Sequence, residues 1–167
     1  MPKGLKETSS LIVISAFAAE SAPATFSSVR VDLQLNPLDN EVFVVYGIDI
    51  DASQPALVPG TTTQTNASIS TTQRTTVGGI NQSNVMAAQK ITTQEVGGAA
   101  VTNMFSSDSA PSTQLEYLGI LATNDFFVNV ESLNNPVSMA ANVRLYGVRA
   151  RADASIYSAL VQSELLS

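Results

Sequence analysis

The sequence predicts an all-β protein: an eight-stranded single jelly-roll sandwich that ends in a short C-terminal α-helix. Three observations predict this class. Apolar and polar residues alternate with a period of two in several segments, turn residues separate those segments, and clear helical spacing occurs at the C-terminal end. About eight strands in 167 residues suit two packed four-stranded sheets forming one domain, residues 1–167. An immunoglobulin-like sandwich fits nearly as well but is usually shorter.

The first apolar run extends from Leu11 to Ala19. Because Lys3 and Lys6 precede it, it loosely resembles a secretory signal. Polar residues 7–10 interrupt that pattern, and Ser15 interrupts the apolar run. We therefore expect the run to be the first strand.

The next two segments alternate most clearly. From 26 to 35, every second residue from Val29 to Leu35 is apolar, and Asn36-Pro37 then predicts a turn. From 41 to 51, alternation predicts one shared face for Val42, Val44, Tyr46, Ile48 and Ile50. Phe43 and Val45 make the first half of this strand apolar on its other side as well, which is typical of a strand covered on both faces.

Residues 55–80 are predicted to be a Thr/Ser-rich loop or insertion. Pro55, Pro59 and Gly60 break the chain, and Thr, Ser, Gln and Asn dominate residues 61–76. The β-branched threonines favour a solvent-facing strand or an extended loop over disorder. Weaker strand signals follow at 84–93 and 99–105, separated by Gly97-Gly98.

The last third predicts strands at 114–122, 126–131 and 141–152, followed by a helix at 153–166. Asp153 is a suitable N-cap residue for this helix. Its apolar face would contain Ile156, Tyr157, Leu160, Val161 and Leu165. A helix of about three turns is marginal alone, so it must dock on the sandwich or on a neighbouring subunit.

The composition argues against most enzyme chemistry. Cysteine, histidine and tryptophan are absent, which excludes thiolate and imidazole metal ligands, Cys nucleophiles and His bases. We expect no catalytic residues, no cofactor and no metal. Asp49 and Asp51 share one face of a strand and could form half of a calcium site or a catalytic pair. The ordinary alternative is a solvated strand end.

The charge pattern bears on partners. The net charge is −6 and the few basic residues are scattered, so we expect no direct nucleic-acid binding. Charged residues make up only 13%, while hydrophobic residues make up 44%. This balance suits a surface that is largely covered by neighbouring subunits, because hydroxyls and amides cost less to desolvate than charges.

Several residues are candidates for such an interface. Phe126-Phe127 places aromatic rings on both faces of one strand, and the outer ring needs cover from the terminal helix or from a partner. The arginines could pair with a partner's acids or could simply protect an edge strand. The candidates are Phe127, Arg144, Arg149, Arg151, Ile156, Tyr157, Leu160 and Val161.

The stretch DFFVNVESLNNPVSMAANVRLYGVRARADASIYSALVQSELLS, from Asp125 onward, resembles the final strands and tail of a capsid family. These are the small single-jelly-roll major capsid proteins of icosahedral, internal-membrane-containing viruses of bacteria and archaea. The resemblance covers about the last quarter of the chain. It implies an upright jelly roll in capsomers of two related coat proteins over a membrane vesicle, and it brings no catalytic residues.

On this basis we expect a viral coat protein in the virion shell. Its partners would be copies of itself and a second coat protein, with an internal viral membrane nearby. The alternative is a secreted β-sandwich for adhesion or carbohydrate binding, or a filament subunit. That alternative predicts an exposed aromatic platform, but the chain has no Trp and only four Tyr. An acid-pair glycosidase would need two carboxylates that converge in a cleft.

Overall fold

The structure is a computed structural model that describes residues 1–107 and 115–167. The elements in chain order are β1 (Leu5–Glu7), β2 (Ile12–Ala19), β3 (Ser27–Asp32), a 3-10 turn (Pro37–Asp39), β4 (Glu41–Ala52), β5 (Thr62–Ser70), β6 (Val85–Val96), β7 (Ala99–Ser106), β8 (Gly119–Leu121), β9 (Asp125–Leu133), β10 (Ala140–Ala152) and α1 (Ala154–Leu166). The strand predicted at 114–122 is shortened to β8, and Gln114 lies outside the described residues.

The strands pair as a folded antiparallel ribbon. β2 pairs with β10, β3 with β9, β4 with β8, and β5 with β6. The first sheet has the order β2-β10-β4-β8, with β1 beside the far end of β10, and the second has the order β3-β9-β5-β6-β7. This nested order is that of a jelly roll, so the predicted fold class is confirmed. β1 and β7 are additions to its eight strands. The apolar run near the N-terminus forms β2.

The main core lies between the two sheets. Its largest fully buried side chains include Phe43, Phe126, Ile48, Ile69 and Leu145. Burying side chains of this kind contributes about 1.5–3 kcal/mol each. Since the sequence contains no cysteine, no disulfide supplements this burial.

A bulge in β4 corrects the predicted face assignment. The register between β4 and β10 shifts next to Gly147, where Tyr46 is an extra residue. Such a residue reverses the inward–outward alternation beyond it. Val42, Val44 and Tyr46 therefore face outward, whereas Ile48 and Ile50 face the core. The prediction that all five residues share one face was wrong, because the hydrophobic periodicity of the sequence does not reveal a bulge.

The Thr-rich segment is also corrected. Residues 62–70 form β5, a strand as one of the two alternatives predicted, and not a loop or an insertion. This strand is not solvent-facing, because it lies between β9 and β6 in the second sheet. Thr63 and Thr65 are completely buried. The Thr63 hydroxyl donates to the Ala56 carbonyl at 2.7 Å, and the Ser68 hydroxyl donates to that of Val77 at 2.6 Å. Hydroxyls satisfied in this way can be buried at little cost. The buried Thr65 hydroxyl, in contrast, has no hydrogen-bond partner among the described residues.

The terminal helix packs on the sandwich itself, against the outer face of the first sheet. Ile156, Tyr157, Leu160 and Val161 contact a second apolar cluster built from β4 and β10, which includes Val44. This confirms that the first half of β4 is covered on both faces. Asp153 occupies the N-cap position, but its side chain makes no capping hydrogen bond, contrary to expectation. No helix in the described residues is long and apolar enough to span a membrane.

Candidate functional site

Asp49, Asp51 and Arg144 lie together on the outer face of the first sheet. Arg144 on β10 is directly opposite Asp49 on β4 and Ser15 on β2. With Phe17 they line a shallow groove of about 540 Å³.

The hydrogen bonds in this groove involve both signs of charge. The Tyr146 hydroxyl donates to Asp49 Oδ2 at 3.0 Å. The same hydroxyl, followed by the charge of Asp49, raises the pKa of the Arg144 guanidinium. Within residues 1–107 and 115–167, no group of three Asp or Glu residues could hold a metal ion. The groove thus combines charges of both signs with an apolar lining that includes Phe17 and Val143.

Arg149 and Arg151 make contacts within the chain. Arg149 donates to Glu41 Oε2 at 3.0 Å and to the carbonyl oxygen of Leu33 at 2.8 Å. Arg151 pairs with Asp39 at 2.9 Å. Both arginines therefore connect β10 to the segment before β4. Of the three arginines proposed for an interface, Arg144 is the one on the exposed outer face.

The other proposed interface residues lie on two separate surfaces. Phe127 is half-buried on the outer face of the second sheet, between Arg30 on β3 and Ser70 on β5. Because α1 covers the first sheet, it cannot cover Phe127. Ile156, Tyr157, Leu160 and Val161 are engaged with the sandwich, which leaves Leu165 and Leu166 as exposed apolar side chains at the end of the helix.

Part of the uncharged polar content has an internal role. On the outer face of the second sheet, Asn129 Nδ2 donates to the hydroxyls of Ser68 and Ser70, and its Oδ1 accepts from Ser28. Ser68 in turn donates to the carbonyl of buried Val77 in the segment that follows β5. These hydroxyls and amides thus stabilise the chain's own packing. The low content of charged residues therefore does not by itself indicate how much of the surface a partner covers.

Several sheet edges are protected. On β3, Arg30 pairs with Asp125 at 2.8 Å and with Asp32 at 3.1 Å, so this edge carries charge. β8 is only three residues long. Beyond it, the Gln89 side chain satisfies β4 by accepting the Ala52 N–H and donating to the Ile50 carbonyl, both at 2.9 Å. Charges and short strands are the usual means of preventing strand addition.

Within residues 1–107 and 115–167, two edges lack this protection, and they form the candidate functional site. The β2 edge and the β7 edge contain neither a charged residue nor a proline. Every residue of β7 is exposed, and Met104 and Phe105 are 66% and 52% exposed. On β2, Phe17 is 57% exposed and Val13 also points to solvent, as does Leu11 just before the strand. These edges lie on opposite sides of the sandwich, since β2 is at the β3 side and β7 is the last strand beyond β6.

Sequence reasoning missed these edges as a site. Both segments were predicted to be strands, and the absence of charge and proline is visible in IVISAFAA and AAVTNMFS. Periodicity does not show which strands are outermost, however. Only the pairing order identifies them as edges.

The fold and these surfaces define a jelly-roll sandwich with two unprotected edges. No protein-family model matches the chain. A search of curated proteins finds no match. Among solved structures, the chain is similar to one described as Desmodium yellow mottle tymovirus, with 8% identity, a TM-score of 0.33, and coverage of 93% of this chain and 96% of that one. It is also similar to the Merkel cell polyomavirus VP1 unassembled pentamer, with 10% identity, a TM-score of 0.36, and coverage of 87% and 96%. At these TM-scores the similarity carries no argument about function.

Proposed function

We propose that this protein is a viral capsid subunit whose function is self-assembly into the virion shell, without catalysis. The observation that carries the proposal is β7, an uncharged strand that is exposed on both faces and that has no strand partner on its outer edge among the described residues. Proteins that remain monomeric usually protect such strands. Jelly rolls are common in viral capsids, and the C-terminal stretch from Asp125 resembles capsid proteins of this type.

Assembly would proceed through many modest contacts. A standard protein interface buries about 800 Å² on each partner, and symmetry repeats each contact around the shell. Exposed apolar side chains on β2, on β7 and at the end of α1 supply separate surfaces for such contacts. The resemblance adds two finer expectations: a second, related coat protein in the same shell and an internal membrane beneath it.

The experiment is to purify the chain, measure its mass by light scattering over a range of concentrations, and image it by electron microscopy. We expect oligomers that grow with concentration and closed particles, formed alone or after a second coat protein is added. A monomer that persists at the highest soluble concentration, with or without the second protein, would contradict the proposal.

A filament subunit is the second candidate, and the two unprotected edges favour it. A head-to-tail contact closes into a ring or a shell only when its rotation permits, and otherwise it extends as an open filament. The same micrographs distinguish the two outcomes, because filaments lengthen with concentration whereas closed particles keep one diameter.

A further inference from the structure

Among the described strands, β2 and β7 have long edges with neither a strand partner nor a protecting charge. Charge protects β3, short length protects β8, and the Gln89 side chain protects the part of β4 that extends beyond β8. An edge strand retains unpaired N–H and C=O groups that can add another strand. The β2 and β7 edges are each eight residues long, so their lengths match.

We infer that β7 of one copy pairs antiparallel with β2 of the next copy, so that the second sheet of one molecule continues into the first sheet of its neighbour. The inference rests on the proposed self-assembly and specifies its partner surface. The occupant of each edge is a second copy of this chain.

The strand directions fit this contact. β2 ends where β3 begins, because Glu20, just after β2, accepts the Ser132 N–H at the end of β9, and Ser27 at the start of β3 pairs with Val130. Four successive antiparallel pairings, β3 with β9, β9 with β5, β5 with β6 and β6 with β7, connect β3 to β7. β7 therefore runs with β3 and against β2. Two copies in the same orientation, side by side, bring these edges together antiparallel.

The side chains also match. In a sandwich, the outer face of one sheet and the inner face of the other look in the same direction. Ser15 lies on the outer face, opposite Arg144, and Thr102 lies on the inner face, opposite buried Thr93. Copies in the same orientation thus place Ser15 and Thr102 on one side of the shared sheet. Pairing these two hydroxyl residues also places Val13 opposite Met104.

The residues on the other side of that sheet follow from the same register. Ala16 would lie opposite Val101, and Ile12 opposite Phe105, which are apolar pairs of the kind that stabilise antiparallel strands. Asn103 would be the polar residue opposite Ile14.

A head-to-tail contact between β2 and β7 pairs both edges in a single type of interface. A two-fold contact between two β7 strands would leave the β2 edge open, and a two-fold contact between two β2 strands would leave β7 open. The β2–β7 contact leaves neither open and can repeat from copy to copy.

Engineered cysteines test this contact, because the natural chain contains none. Chains carrying Ser15→Cys and chains carrying Thr102→Cys are mixed, assembled and oxidised. Opposed residues in antiparallel strands have Cα atoms about 4.5–5.5 Å apart, which a disulfide can bridge. We expect a disulfide-linked dimer that contains one chain of each kind. Efficient dimers from either variant alone would show a two-fold contact and overturn the inference.

A second measurement keeps the test independent of disulfide geometry. Val101→Lys places a charge in the proposed contact, and Val137→Lys is its matched control, since the two valines are 57% and 55% exposed. With thermal unfolding unchanged in both, we expect assembly to fall at least tenfold for Val101→Lys alone. If Val101→Lys assembles normally and the mixed cysteine variants form no disulfide-linked dimer, the edge contact is overturned but the proposed function is preserved. A wild-type protein that never assembles overturns both.

Discussion

The Glu164 carboxylate, near the end of the terminal helix, accepts the backbone N–H of Ala122 at 2.6 Å. The same oxygen accepts the N–H of Thr123 at 2.9 Å, and the other oxygen lies 3.0 Å from the Thr123 hydroxyl. Glu164 is only 7% exposed. One buried side chain thus connects α1 to the turn between β8 and β9 and satisfies backbone groups that have no strand partner there.

Glu164→Ala should lower the free energy of unfolding by about 1–3 kcal/mol, since it leaves the buried Ala122 N–H without a partner. Urea unfolding measures this loss. Gln162→Ala is the matched control, because Gln162 is exposed on the same helix, and we expect a change within about 0.5 kcal/mol. Equal effects of the two changes would contradict the structural role of Glu164.

The same carboxylate predicts a pH dependence. Burial raises the pKa of Glu164 above its ordinary value of 4.5, even though its hydrogen bonds from Ala122 and Thr123 act in the opposite direction. A raised pKa means that the fold favours the protonated acid. Its stabilising contribution is therefore complete below the ordinary pKa and is lost as pH rises through the raised value. The stability of the wild type relative to Glu164→Gln should rise as pH falls from 7.5 to 4.5.

Paired urea titrations of the wild type and Glu164→Gln at several pH values isolate this effect, since the other carboxyl groups are common to both chains. A relative stability that falls with decreasing pH would mean that hydrogen bonding outweighs burial at Glu164.

Gln89→Ala should destabilise the sandwich by about 1–3 kcal/mol. It removes the side chain that satisfies the Ala52 N–H and the Ile50 carbonyl at the unpaired part of β4. The amide protons of β4 should also exchange faster with solvent, which hydrogen-exchange mass spectrometry detects. Gln94→Ala on the same strand is the control, because Gln94 is exposed. Unchanged exchange in β4 would disprove this role of Gln89.

Gly147→Ala should destabilise strongly, by about 2 kcal/mol or more, because a methyl group there would overlap the Val44 carbonyl oxygen and the Phe43 ring. Gly147 borders the β4 bulge, where the neighbouring strand approaches closely. Gly119→Ala on β8 is the matched control, since its methyl group would meet only the Met86 side chain, with Sδ at 3.4 Å, an ordinary contact. Thermal unfolding of the two variants compares them, and equal melting temperatures would contradict the close packing at Gly147.

Much of the fold could be predicted because its signals are local. Alternation within 26–35 and 141–152 predicted β3 and β10, and helical spacing predicted α1 to within one residue at its start. The candidate site was harder to predict from the sequence. Arg149 was proposed for an interface, yet its partners within the chain, Glu41 and the Leu33 carbonyl, are distant in sequence. No local pattern in the sequence indicates such a pairing.

Sequence patterns alone predicted most of the strands, the terminal helix, the lack of thiol and imidazole chemistry, and the uncharged character of β2 and β7. Three features follow from strand pairing instead: Thr62–Ser70 is a central strand, the bulge at Tyr46 reverses the faces of β4, and β2 and β7 are edges without protection among the described residues. The physical reason is that strand character depends on neighbouring residues, whereas a strand's position in a sheet depends on hydrogen bonds between distant segments, such as Ile12 with Gly147.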